Sequence, residues 1–314
     1  MSFQEAALEH ARRLARLIDR GGALRLRRLY EAAQAELERK IGHAVGRGSA
    51  PFTAHQHRVL LGQVRHGQMV IAQRLGDASA AATVETQRDA LDAAIRNIRR
   101  GEREFGSGAT VTLPIEEAAR FQGVLDRRKT SLLKQNRTSM ARYGAGLVKR
   151  IEGELAVSLA TGETTHEATT RVARTADVEF WRAERIVRTE QAWAYNATQR
   201  DAITQSAKDL DEELYMRWTE LVDDYSHAKL DDRVGDDSVA MHGQVARPGE
   251  AFRMPSGAKG VAGSLRDGEW EHPPNRPHDR ATLMPWSPAW DEAPPSWQVV
   301  GGAKVPVRRQ RRRA

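Results

Sequence analysis

Apolar residues recur at three- and four-residue steps through the first two-thirds of this 314-residue chain, with few strong breakers. That period constrains the fold more than any other feature, because it gives long helices one buryable face each. Leu8, Ala11, Ala15 and Ile18 begin it, with Arg12, Arg13, Arg16 and Arg20 between them. Gly21-Gly22 interrupts the pattern, and Leu26, Leu29, Tyr30, Ala33, Leu37 and Ile41 resume it. Gly46 to Pro51 reads as a loop, and helical segments are expected at about 53–75 and 79–105. Pro114 followed by Glu116 and Glu117 marks a helix start. The stripe Leu125, Leu132, Leu133, Met140, Leu147, Ile151 and Leu155 then runs to Thr161-Gly162, with Gly144, Gly146 and Gly153 as expected bending points. A further helical unit starts near Thr165, and 178–207 reads as one long helix.

The pattern changes after about Asp209. Glycine, proline and aspartate rise, helical periodicity disappears, and five of the seven tryptophans follow. Tyr215–Thr219, Gly243–Val245 and Ala281–Met284 are candidate strands. Gly257 to Gly268 reads as a mobile loop and the chain from Pro294 on as an extended tail. The expected fold class is mainly α with a small α+β C-terminal domain, short strands at 208–290 and a basic disordered tail. The segments are 1–110, a helical region; 111–207, a long-helix region; 208–290, the α+β part; and 291–314, the tail.

Composition removes several chemistries. There is no cysteine, which excludes disulfides, thiolate metal sites and cysteine nucleophiles. No stretch approaches the length of apolar sequence that a membrane helix needs, and the acid-bearing start does not read as a secretory signal. Nucleophile-elbow, P-loop and dinucleotide-binding patterns are missing. The formal net charge of +7 is unevenly placed. Lys304, Arg308, Arg309, Arg311, Arg312 and Arg313 give the last 11 residues +6, the first 60 carry +5, and the remainder sums to −4. An arginine run neutralises phosphates without reading sequence, so those six residues are candidate nucleic-acid contacts; a solvated terminus and docking on an acidic protein are the other readings.

One segment invites a metal hypothesis. Asp223, Asp224, His227, Asp231, Asp232, Asp236, Asp237 and His242 lie within 20 residues, and such side chains support divalent-metal phosphodiester hydrolysis. The same acids also suit a solvated polar loop. Arg188 and Glu190, two apart on a helix, do not face each other, and each is expected to pair with a neighbouring element.

The order of features over about 150–290 resembles the phage head morphogenesis family, the minor head proteins of the phage Mu protein F type. That family's helix signature A-x-x-I-x-R-T-E is matched by Ala183 to Glu190, which includes Arg188, Thr189 and Glu190, with Ala194, Asn196 and Ala197 after it. Trp218 fits the strand tryptophan that follows, and Asp231-Asp232-Arg233-Val234 the next turn. Met241-His242-Gly243-Gln244-Val245 fits the segment after that. Pro273-Pro274 and then Arg276 to Pro285, with Arg280, fit the close. Many relatives carry cysteine pairs where this chain has Gly235, Ser238, Asp279 and Ala281, so no zinc site is implied.

The resemblance implies a non-enzymatic minor capsid protein of a tailed phage or prophage, without a cofactor. Its expected partners are the portal protein, scaffold or major capsid protein, and packaged DNA through the basic tail; neither a membrane nor a small-molecule substrate is expected. Its expected place is the virion head interior or portal vertex, after assembly in the host cytoplasm. Within the motif, Arg233 and Arg280 are expected to tie strands together, His242-Gly243 to make a turn and Pro285 to end the last strand. The alternative from another class is a metal-dependent nuclease or hydrolase built on the acidic 223–242 segment.

Overall fold

The computed structural model describes residues 3–45, 52–105, 115–209, 214–221, 241–253, 269–274, 280–288, 298–300 and 303–305. The acids Asp223 to Asp237, the Asp232-Arg233 turn, the 257–268 loop and Arg308 to Arg313 lie outside these residues.

Five long helices dominate: α1 (Phe3–Leu17), α2 (Leu24–Val45), α3 (Ala54–Phe105), α4 (Ile115–Thr161) and α5 (Thr165–Asp209). Three expected breaks are absent. Gly21-Gly22 sits in a π-helical turn, Ile18–Ala23, that carries the chain from α1 into α2 without a loop. α3 also runs unbroken through Gly76, where two helices were expected. Gly76 is buried, and a Cβ built there would lie 3.6 Å from the Met140 Cβ of α4. Ser79 Oγ donates to Asn136 Oδ1 at 3.2 Å just beyond it. Packing of α3 on α4 therefore outweighs the roughly 1 kcal/mol helix penalty of one glycine. The two helical units expected either side of 178 are likewise one helix, α5.

Capping fixes where the helices begin and end. Thr53 N donates to Gln56 Oε1 at 3.0 Å, and Gln56 N donates back to Thr53 Oγ1 at 3.3 Å, a capping box opening α3. Thr164 and Glu167 repeat the device at the start of α5, at 2.8 and 3.2 Å. Gly162, at φ +68°, supplies the left-handed residue that closes α4.

The chain forms two compact units, each drawn from separated stretches. One comprises Asp19–Ala82 and Ser131–Arg188. Its core joins Leu26 and Tyr30 of α2, Leu60, Val64, Ile71 and Leu75 of α3, Met140, Leu147 and Ile151 of α4, and Val172 and Phe180 of α5. The Tyr30 hydroxyl donates to the Ala176 carbonyl at 2.6 Å. The sequential segments expected at 1–110, 111–207 and 208–290 cut across these units, because α3, α4 and α5 each contribute one stretch to one unit and one to the other.

The second unit comprises Met1–Ile18, Thr83–Thr130 and Thr189–Ala314. Its three-stranded antiparallel sheet has the order β2-β1-β5, from β1 (Tyr215–Thr219), β2 (Val245–Ala246) and β5 (Thr282–Trp286). A second antiparallel pair joins β3 (Phe252–Arg253) to β4 (Glu269–Trp270). Met216, Trp218 and Leu283 pack with Ile203 of α5, while Leu14 and Ile18 pack with Ala90, Ala93, Ala192 and Tyr195. The fold is thus mainly helical with a small C-terminal sheet, as the periodicity predicts. Within the expected tail, β6 (Gln298–Val300) and β7 (Ala303–Val305) pair antiparallel. The β-branched Val299, Val300 and Val305 favour that pairing.

Candidate functional site

Beyond the helix signature, α5 delivers one side chain into the sheet. Asn196, fully buried on α5, donates from Nδ2 to the Ala281 carbonyl at 3.0 Å and accepts the Leu283 N–H on Oδ1 at 2.9 Å. It also donates to the Ala192 carbonyl, one turn back, at 3.0 Å. An uncharged amide with a donor and an acceptor side matches the alternating polarity of a strand's backbone, so Asn196 ties the helix to β5.

Trp218 anchors the neighbouring strand. It is wholly buried, meets Phe252 edge-on at 5.4 Å, and its Nε1–H donates to Glu220 Oε1 at 3.2 Å. Its backbone N–H donates to the Gln244 carbonyl, and its carbonyl accepts from the Gly243 N–H, both at 2.8 Å. His242 and Gly243 form the turn expected of them, Gly243 at φ +78°. The Glu220 N–H donates to His242 Nδ1 at 3.0 Å. That bond fixes the imidazole tautomer. A ring nitrogen that accepts carries no proton, so neutral His242 holds its proton on Nε2, and neither nitrogen then offers a lone pair to a metal.

Arg188 donates from Nη2 to Glu184 Oε1 at 2.8 Å and lies 3.6 Å from Asp19 Oδ1, so it pairs within α5 and with the π-helical turn. Thr189 and Glu190 are half-buried, each with a polar or electrostatic partner. Pro273-Pro274 is a cis peptide, preceded by the buried His272, whose ring meets Trp193 of α5 edge-on at 5.0 Å. Arg280 is buried just before β5. Pro285 does not end its strand: it pairs with Met216, and β5 continues to Trp286. β5 lies at the sheet edge, where a residue without an N–H is tolerated. Of the tail cations, Lys304 falls on β7.

Sequence reading missed a buried polar cluster beside the motif. Asn97 Nδ2 lies 3.3 Å from His10 Nδ1, and the Tyr195 hydroxyl lies 3.4 Å from His10 Nε2. Burial, with Arg13 and then Arg96 nearby, lowers the His10 pKa to about 3, so the ring is neutral at pH 7. Burial likewise raises the Tyr195 hydroxyl well above its ordinary value. Gln199 Nε2 donates to the Ala90 carbonyl at 2.7 Å. Only partners 87 to 185 residues away distinguish His10 from an ordinary helix-surface histidine, and no local pattern announces them.

The unit formed by Asp19–Ala82 and Ser131–Arg188 carries the main cavities described. One, of about 620 Å³, is lined by Arg150, Glu154, Glu163, His166 and Arg171. Arg171 binds Glu163 and also Glu154, the latter at 3.1 Å, and its hydrogen bond holds the Glu163 carboxyl below its usual range. The Thr164 backbone does the same for Glu167. Arg171 is thus ion-paired with two carboxylates on the cavity wall. A second cavity, of about 670 Å³, lies along α3 and α4 and is mostly apolar.

Comparisons with protein-family models, with curated proteins and with solved structures return no match.

Proposed function

We propose that this chain is a minor capsid or head morphogenesis protein of a tailed phage or prophage, acting by binding and not by turnover. The observation that carries the reading is the ordered run of motif pieces from Ala183 to Pro285. Two further facts support it. Asn196, which follows the helix signature, bonds to the segment that closes the motif, at Ala281 and Leu283. The tryptophan strand bonds to the His242-Gly243 turn through Trp218. Two later pieces of the pattern, the close at Ala281-Leu283 and the His242-Gly243 turn, are thus each bonded to an earlier one.

The binding partner in this reading is the portal protein, a scaffold or the major capsid protein, with the basic tail on packaged DNA at the head interior or portal vertex. The His242 tautomer weighs against the metal-dependent hydrolase, since that ring would have to give up its Nε2 proton or its Glu220 bond to ligate. Co-expression with portal, scaffold and capsid genes of the same genome tests the proposal. A stoichiometric complex with one of them is expected. If none co-purifies at low and moderate salt, the proposal fails. Metal analysis and plasmid nicking by the wild type, Asp231→Ala and His242→Ala test the alternative, which requires bound metal and nicking that both variants lose.

A further inference from the structure

Residues 65–77 of α3 and 137–152 of α4 approach closely. A Cβ on Gly144 would stand 2.6 Å from the Ala72 Cβ. The cavity of about 670 Å³ lies along this crossing, with Met69, Ala72, Ala141, Ala145 and Val148 in its lining. Met69 is 63% exposed, the most open of the large apolar side chains among the described residues.

Four charges stand at the corners of this apolar face. At one end Arg65 of α3 donates from Nε to Glu152 Oε1 of α4 at 2.7 Å. At the other Arg137 of α4 donates from Nε to Asp77 Oδ1 of α3 at 3.2 Å. Signs therefore alternate around the face: plus then minus along α3, and minus then plus at the matching ends of α4. All four side chains keep a third or more of their surface in water, so each has capacity for a second partner.

We propose that this face is a docking surface for a second copy of the chain, related by a two-fold axis running parallel to the helices. α3 of one copy then lies over α4 of the other. Arg65 meets Glu152 of the second copy, and Asp77 meets Arg137 of the second copy, so every corner finds the opposite sign. Met69, one turn from Arg65, comes level with Val148 of the second copy, one turn from Glu152. Each protruding methionine thus enters the hollow beside Ala145 and Val148 opposite. A self-complementary patch of this kind is what an isologous contact requires. A plain apolar helix would fill the hollow but offer the alternating corners no second partner. A nucleic acid would meet two carboxylates beside the two arginines, and an apolar floor. The inference goes beyond the proposed part in head assembly and does not depend on it.

Sedimentation equilibrium of the full chain between about 1 and 100 µM tests the proposal, a range that spans ordinary homodimer affinities. The wild type is expected to show a monomer–dimer equilibrium in that range. Met69→Asp and, separately, Glu152→Arg are each expected to raise the dimer Kd about tenfold or more, a change of about 1.4 kcal/mol. Combining Arg65→Glu with Glu152→Arg restores opposite signs within and between copies, and is expected to bring the dimer back. Circular dichroism checks that each variant keeps its helices. A wild type that stays monomeric throughout overturns the proposal. So does a dimer indifferent to Met69→Asp, or a charge swap that fails to rescue.

Discussion

Asn196 shows how much one small side chain can organise. Its amide closes hydrogen bonds to Ala192, Ala281 and Leu283 in a setting without water. Replacing it with Leu strands the Ala281 carbonyl and the Leu283 N–H, and each stranded buried group costs about 1–3 kcal/mol. Asn196→Leu is therefore expected to lower unfolding stability by about 2–4 kcal/mol in urea titrations at unchanged slope. A loss below about 0.5 kcal/mol, the scale of a neutral surface change, would deny it this role. His10 gives a second residue-scale outcome. Its pKa falls from 6.5 to about 3 on folding, so between those values the unfolded chain binds a proton that the folded chain refuses. Stability must then rise with pH across that window and fall as pH drops through it. At pH 5 the histidine alone is expected to remove about 2 kcal/mol relative to pH 7.5. His10→Leu removes the titration, so the stability gap between wild type and variant should shift by that amount over the same range. A gap constant with pH would show that the ring titrates normally in the fold. Asn196 was visible in the sequence as part of a motif, but its bonds were not, because they depend on a strand 85 residues onward.

At the scale of elements, the glycines separate what sequence resolves from what it does not. Gly144, Gly146 and Gly153 look alike in the α4 pattern, all candidate bends. Their surroundings differ. A Cβ at Gly144 would collide with Ala72 of α3, whereas one at Gly153 meets nothing within 4 Å. Gly144→Ala must push two helices apart and is expected to cost about 1–3 kcal/mol. Gly153→Ala relieves a helix of its most flexible residue and is expected to add up to about 1 kcal/mol. Thermal unfolding of the two variants under one buffer checks both signs; a gain at Gly144 or a loss at Gly153 would contradict the packing described. Helix existence was legible because long apolar stripes leave few alternatives. Helix continuity through Gly76 was not, because a local penalty near 1 kcal/mol for one glycine is settled by contacts from another helix.

At the scale of the whole molecule, the two compact units were hidden because each gathers separated stretches, while composition changes only once along the chain, near Asp209. Charge was legible throughout, and it limits where the molecule can meet DNA. Outside its first 60 and last 11 residues the chain sums to −4. A basic binding face on the sheet-bearing part is therefore a poor expectation, and the proposed DNA contact rests on Lys304, Arg308, Arg309, Arg311, Arg312 and Arg313. Each phosphate they neutralise releases about 0.9 of a counterion from duplex DNA, so six contacts give a log Kd against log salt slope of about 5. Deleting 304–314 should weaken binding to random-sequence duplex and flatten the slope by up to that amount, equally for every sequence tried. Arginine-to-lysine exchange of the whole run should keep most of the slope, because the effect is charge and not geometry. If deletion leaves affinity and slope untouched, the tail serves an acidic protein surface instead, and the same truncated chain should then lose the proposed portal or capsid partner in co-purification.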